Sequence, residues 1–293
     1  MIYTICNDTL EVKVASLGAE IKSARALNGD IEYIWQGDAK YWEDSAPVLF
    51  PTCGLLANGK YTHNGKEYSL PLHGFAAATE FDVKAHSDSA ITLSLVANEK
   101  TKACYPFDFE LLITYSLDGN RLVATAEIKN LSKVELLPAT FGAHPGFNAP
   151  LAKGLDFEDY YFEFSEECFP NQLTILDNGL YGGTSEALIL EDGKKLRLSH
   201  ELFKVDGIFM NRMADTITLK SDKDSHSVSV KYSGFPYLGI WQEYGSDTPF
   251  ICVEPWYGLP DYDGLSREIM KKNDMFRIQP ECSKTVSYEI TFA

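Results

Sequence analysis

The sequence predicts an all-β protein: one large antiparallel β-sandwich domain over residues 1–293, with few and short helices. Three observations predict it. Apolar and polar residues alternate with a period of two in run after run, the pattern of strands with one buried face. Gly, Asn, Asp and Pro punctuate those runs at short intervals. Helical periodicity is nearly absent, and no linker or internal repeat divides the chain.

The elements follow in order. "LEVKVASLG" sets Leu10, Val12 and Val14 on one face and Glu11 and Lys13 on the other. "AITLSLVAN" alternates in the same way. "FELLITYSLDGNRLVATAEIKNLS" is the clearest case, two β-rich runs joined through Asp118-Gly119-Asn120, a strong hairpin signal. "DTITLKS", "HSVSVKYSG", "YLGIWQEYG", "FICVEPWYG" and "KTVSYEITFA" complete the strands. Two stretches, "YWEDSAP" and "LSREIMKKND", are candidate short helices.

Composition narrows the function classes. The chain is 45% hydrophobic and 23% charged, ordinary for a globular protein, and carries a net charge of −16. A surface that negative repels phosphate backbones and acidic bilayers, so neither nucleic acid nor a membrane is an expected partner. "MIYTICNDTLEVKV" lacks a basic region followed by an apolar run, so no signal peptide is expected, and no apolar stretch approaches the roughly 20 residues of a membrane span. Six scattered cysteines with no C-x-x-C pair read as reduced thiols of a cytoplasmic protein. The six histidines show no H-x-H or H-E-x-x-H spacing, so no metal is expected. Oligomeric state is left open.

Chemistry concentrates in three segments. "ATFGAHPGFNAP" places His144 before Pro145, and a residue preceding proline is held extended. "FICVEPWYGLPDYDG" does the same for Glu254 before Pro255. On an extended strand Phe250, Cys252 and Glu254 share one face and Ile251 and Val253 the other. A carboxylate among apolar neighbours is costly unless it is paired or at a cavity mouth. The long loop 46–81 ends at His73-Gly74, and loops of that length tend to be functional. Trp241, Gln242 and Tyr244 upstream, and Trp256 and Tyr257 beside Glu254, supply aromatic faces next to polar groups, as sugar sites require. Two histidines and a glutamate without a nucleophile elbow, a Walker loop or a dinucleotide fingerprint make an acid/base set needing no cofactor. Isomerisation, epimerisation, elimination and simple hydrolysis fit it.

Four blocks, in order, resemble the aldose 1-epimerases, also called galactose mutarotases. They are "SLGAEIKSARALNGDIEYIWQG", "LFPTCGLLANGKYTHNGKEYSLPLHGF", "HPGFN" and "CVEPWYG", spread over nearly the whole chain. They are most similar to the branch encoded near lactose and tagatose operons in lactic bacteria. The resemblance implies a mutarotase-like supersandwich with the sugar in an open cleft, and interconversion of α and β anomers of a free aldose without metal or cofactor. By position it implies that Glu254 is the base for the C1 hydroxyl, His144 the acid for the ring oxygen, and His73 a second histidine polarising that oxygen. Asp206 is the implied sugar-binding aspartate, and Lys60, Trp241, Trp256 and Asn148 are further candidate sugar-binding residues. Two departures bear on substrate. The family's arginine in the second block is Leu55 here, with Lys60 five positions on as a possible substitute, and Asp206 lies in a weakly matching stretch. A hexose-6-phosphate enzyme, with Lys60 and Arg212 as its cations, and a silent sugar-binding protein are the alternatives.

Overall fold

The computed structural model describes residues 1–29, 31–245, 247–262 and 267–293. Every ladder between its named strands is antiparallel. A nine-stranded sheet runs Lys195–Arg197, Tyr160–Phe164, Thr216–Ser221, Asp224–Lys231, Ser283–Phe292, Arg121–Asn130, Phe109–Asp118, Ala90–Val96, Asp82–His86. An eight-stranded sheet runs Tyr181–Ala187, Asn171–Ile175, Ile208–Asn211, Tyr237–Trp241, Phe250–Trp256, Gly142–Ala143, Val48–Leu49, with Gly146–Asn148 also paired to Phe250–Trp256. Smaller sheets flank them, including the strands Ile2–Cys6, Leu10–Ala15 and Ile21–Ala26.

One apolar core joins the two large sheets. Leu111, Ile113, Leu122 and Ile290 enter it from the nine-stranded sheet, and Met210, Leu238, Ile240, Ile251 and Val253 from the other. The predicted hairpin forms as read: Phe109–Asp118 pairs with Arg121–Asn130 in register Asp118↔Arg121. Burial alternates along both strands, as one buried face demands.

The helix expectations need correction. Residues 41–47 form turns, not a helix. The Asp38 carbonyl accepts from both Tyr41 and Trp42 N–H, closing one turn, and the chain then extends toward Pro47. Of "LSREIMKKND", Leu265 and Ser266 lie outside the described residues. The rest contributes a single 3-10 turn, Ile269–Lys271. An α-helix that the alternation did not suggest occupies Glu99–Cys104. Asn98 starts it: its side chain accepts from Lys100 and Thr101 N–H, and Thr101 Oγ1 accepts from Asn98 N–H.

Candidate active site

Strand Phe250–Trp256 is buried at every position, because it is covered on both faces. Ile251 and Val253 point into the main core. Cys252, Glu254 and Trp256 leave the opposite face: Glu254 and Trp256 line a cavity of about 580 Å³ on the outer face of the eight-stranded sheet, and Cys252 packs with Trp35 and Phe250 beside it. Such a volume suits a small-molecule site. Phe209 and Trp241 share this floor. Loops supply the walls through Trp42, Asp44, Leu55, Leu72, Asp206 and Glu243.

Register brings the two pre-proline residues together. Gly142 pairs with Trp256, and Gly146 with Cys252. The ladder breaks between them at His144-Pro145, so His144 falls opposite Glu254. Its Nε2 lies 3.1 Å from Glu254 Oε2. Across the next strand Glu254 faces Gly239, and a Cβ there would meet Phe209 at 2.9 Å and the Glu254 Cβ at 3.2 Å. A glycine is what leaves the carboxyl its place.

His73 is fixed differently. Its φ is +63°, and the following Gly74 is packed so that a Cβ would lie 2.2 Å from the Phe50 carbonyl oxygen. The His73 and Gly54 main chains bond, and Gly54 N–H donates to His73 Nδ1 at 3.1 Å. A nitrogen that accepts carries no proton, so the proton sits on Nε2. His73 thereby becomes a fixed N–H donor. Its ring meets His144 edge-on at 5.7 Å and Trp256 at 5.4 Å.

Electrostatics at the pair are governed by burial. Glu254 is 1% exposed and His144 8%. Burial, reinforced by the carboxylate of Asp206, pushes the Glu254 carboxyl well above the ordinary range. Burial, with the charge of His73 acting the same way, lowers His144 to about 3. Burial alone lowers His73 to about 4. Each group is driven toward its uncharged form, so the His144–Glu254 pair holds one transferable proton. Both Glu254 oxygens and His144 Nδ1 lack hydrogen-bond partners, the 3.1 Å approach being misaligned for a bond. Buried groups left so are costly and await a ligand.

The structure thus gathers Glu254, His144, His73, Asp206, Trp241 and Trp256 around one cavity, with Leu55 in its wall. Two expected sugar-binding residues stand elsewhere. Lys60 is exposed on the hairpin Lys60–His63/Lys66–Ser69, its ammonium 2.7 Å from Glu67. The Asn148 amide donates to the Glu32 and Ile34 carbonyls, tying down a neighbouring segment. Gln242 turns away from Trp241 to meet His200 at 2.9 Å, Tyr244 meets Glu201, and Tyr257 packs on Phe235 and Phe276. Sequence reasoning missed Trp42, whose ring packs on His144 at 5.1 Å and Trp241 at 5.6 Å. An aromatic two residues before Asp44 and four before Ala46 was the available signal. The loop bearing Leu55 is anchored by a buried ion pair. Lys272 Nζ lies 2.8 Å from Asp261, whose other oxygen accepts from Ala57 N–H and whose own N–H donates to the Leu55 carbonyl.

A second cavity, about 610 Å³, adjoins Phe157, His200 and Tyr244. Its His200 ring is stacked on Phe157 and engaged by Gln242, and none of its described lining residues has an unpartnered buried polar atom. The 580 Å³ cavity is therefore the candidate site.

A cavity floored by an acid/base pair, on a mutarotase-like supersandwich, defines the class, and comparison defines the family. The family profile for aldose 1-epimerase matches residues 1–265. The protein LacX of Lactococcus lactis subsp. lactis, in plasmid and chromosomal forms, is 32% identical over 298 residues, covering 99% of each chain. A galactose mutarotase related enzyme from Lactobacillus acidophilus superposes with a TM-score of 0.94 at 33% identity, over 100% of this chain and 97% of that one. A galactose mutarotase-like protein from Lactobacillus casei ATCC 334 gives 0.93 at 30% identity over the full length of both. The chain belongs to the aldose 1-epimerase family.

Proposed function

We propose that the protein is an aldose 1-epimerase, an isomerase that interconverts the α and β anomers of a free aldohexose. The observation that carries this is the His144–Glu254 pair, in register across one strand break, with unpartnered atoms at the floor of a cavity. With the proton that the pair shares carried on His144, Glu254 is the carboxylate that takes the proton of the C1 hydroxyl while His144 delivers its own to the ring oxygen, toward which the fixed His73 N–H donates. The C1–ring oxygen bond breaks, the new carbonyl rotates about C1–C2, and closure on its other face returns both protons. Each proton transfer contributes roughly 10²–10⁴-fold. Asp206 and the faces of Trp241 and Trp256 hold the hydroxyls and ring.

Charge favours a neutral sugar over a sugar phosphate. Asp44, Asp206, Glu243 and Glu254 line the cavity, and no Lys or Arg does among the described residues. A phosphate would want cationic partners there. We place the protein in the cytoplasm, since all six cysteines are free thiols, as a reducing compartment maintains.

Polarimetry tests the reading. The protein should speed the decay of α-D-glucose or α-D-galactose to equilibrium in EDTA, and should leave hexose 6-phosphates at their spontaneous rate. Spontaneous rates for every free aldose, with binding still measurable by calorimetry, would identify a silent sugar-binding protein instead.

A further inference from the structure

We propose that His144, Cys252 and Glu254 form an inhibitory site for a thiophilic divalent cation of the zinc class. One donor atom from each side chain lies within 4.8 Å of the other two, and all three residues are buried. Cys252 and Glu254 are two apart on one strand, so their side chains leave the same face, and register puts His144 opposite Glu254. The His144 Nε2–Glu254 Oε2 separation of 3.1 Å is close to the edge of a tetrahedron, about 3.3 Å at ordinary zinc–nitrogen and zinc–oxygen bond lengths. A modest inward movement of the Cys252 sulfur would close the third position. The fourth faces the cavity that His144 and Glu254 line, where water can complete the shell.

A second, independent observation points to a ligand. Both Glu254 oxygens are buried without partners. Nothing in the sugar chemistry uses Cys252, yet its thiol is fully buried beside the reacting pair. A thiol, an imidazole and one carboxylate suit zinc, cadmium or cobalt, whereas magnesium and calcium want oxygen ligands. Binding displaces to solvent both the thiol proton and the proton that His144 and Glu254 share, leaving thiolate, neutral imidazole and carboxylate on the metal. A cation there occupies the lone pairs that cycle protons, so it blocks epimerisation. This last consequence rests on the function proposed above, while binding itself does not.

The test titrates the full-length protein with Co²⁺ and follows near-ultraviolet thiolate-to-cobalt absorption. The wild type should gain that band at about one equivalent and lose it to Zn²⁺ but not to Mg²⁺. Cys252→Ser or Cys252→Ala, whichever melts with the wild type, should lose the band and bind Co²⁺ roughly tenfold more weakly or worse, the scale for disturbing a ligand set. If neither folds, His144→Asn should weaken the band's affinity by the same factor. Zn²⁺ should inhibit wild-type mutarotation reversibly with EDTA, and the Cys252 variant should need at least tenfold more. No band in the wild type, or an unchanged one in the folded variants, would overturn the site. A Cys252-dependent band in a protein without mutarotase activity would keep the site and sink the epimerase reading.

Discussion

The nine-stranded and eight-stranded sheets feed the same core but are built differently. In the first, Phe109–Asp118, Arg121–Asn130 and Ser283–Phe292 run ten residues each. The outer face carries polar cross-strand pairs such as Thr92–Thr114 at 2.9 Å and Lys129–Glu110 at 3.3 Å. In the second, Val48–Leu49 and Gly142–Ala143 are two residues long, and the central strand is buried throughout. Long ladders, shifted in register only at Leu219/Ser221 and Val83/Ala85, leave no buried side-chain polar atom of these strands unpartnered among the described residues. An interrupted ladder under loops releases His144 from the pattern and strands a carboxyl away from water. Regularity makes the scaffold, and its interruption makes the site.

Matched substitutions on the two sheets sharpen this contrast. The largest effect should come from Lys272→Met, which leaves Asp261 buried and unpaired over the eight-stranded sheet. A loss of about 3–5 kcal/mol in denaturant unfolding is expected. Lys129→Met, at a half-exposed pair on the nine-stranded sheet, should change stability by less than about 0.5 kcal/mol. Equal losses would break the comparison. Next in size is Glu254→Gln, which should lower kcat by roughly 10²-fold or more, about 2.7 kcal/mol of barrier. Glu127→Gln on the other sheet, where the carboxylate sits 3.9 Å from Lys129, should leave kcat unchanged.

Leu55→Arg should lower KM several-fold and kcat little, because an added sugar donor binds ground and transition states alike. A higher kcat with unaltered KM would contradict that. A separate effect, on stability, concerns acid. His144 is lowered to about 3 in the fold, whereas its unfolded pKa is near 6.5. Between those values the unfolded chain binds the extra proton, so the group's contribution to stability declines as pH falls from about 6.5 toward 3. His144→Asn should flatten the decline in Tm between pH 6.5 and 4. A slope matching wild type would show that His144 does not stay neutral.

What could be read beforehand follows the same division. The 109–130 hairpin was legible because one face is buried over two long runs, so alternation repeats often enough to be seen. His144 and Glu254 were legible for a different reason: each is a titratable residue locked before proline among apolar neighbours. The walls were not. Trp42, Asp44 and Glu243 come from separate loops, and nothing local says that the fold will close them over one strand. Residues 41–47 are a candidate short helix in sequence, but the Asp38 carbonyl closes a single turn and the Trp42 ring then packs on His144, Trp241 and Phe250. The helix Glu99–Cys104 is too short to show a period, and only its Asn98–Thr101 cap announces it. Lys60 and Asn148 were suggested by nearness to motifs, but a strand sends neighbours to opposite faces. Lys60 ended on an exposed hairpin and Asn148 on backbone carbonyls.

The central claim is that His144 and Glu254 act as one proton-cycling unit. A double-mutant cycle on kcat for mutarotation, comparing Glu254→Gln, His144→Asn and the pair, tests it most directly. The account predicts that each single variant loses roughly 10²-fold or more while keeping a wild-type CD spectrum, and that the double variant loses far less than the product, because groups acting as a unit are not additive. Losses that multiply, or a folded Glu254→Gln variant with wild-type kcat, would contradict it.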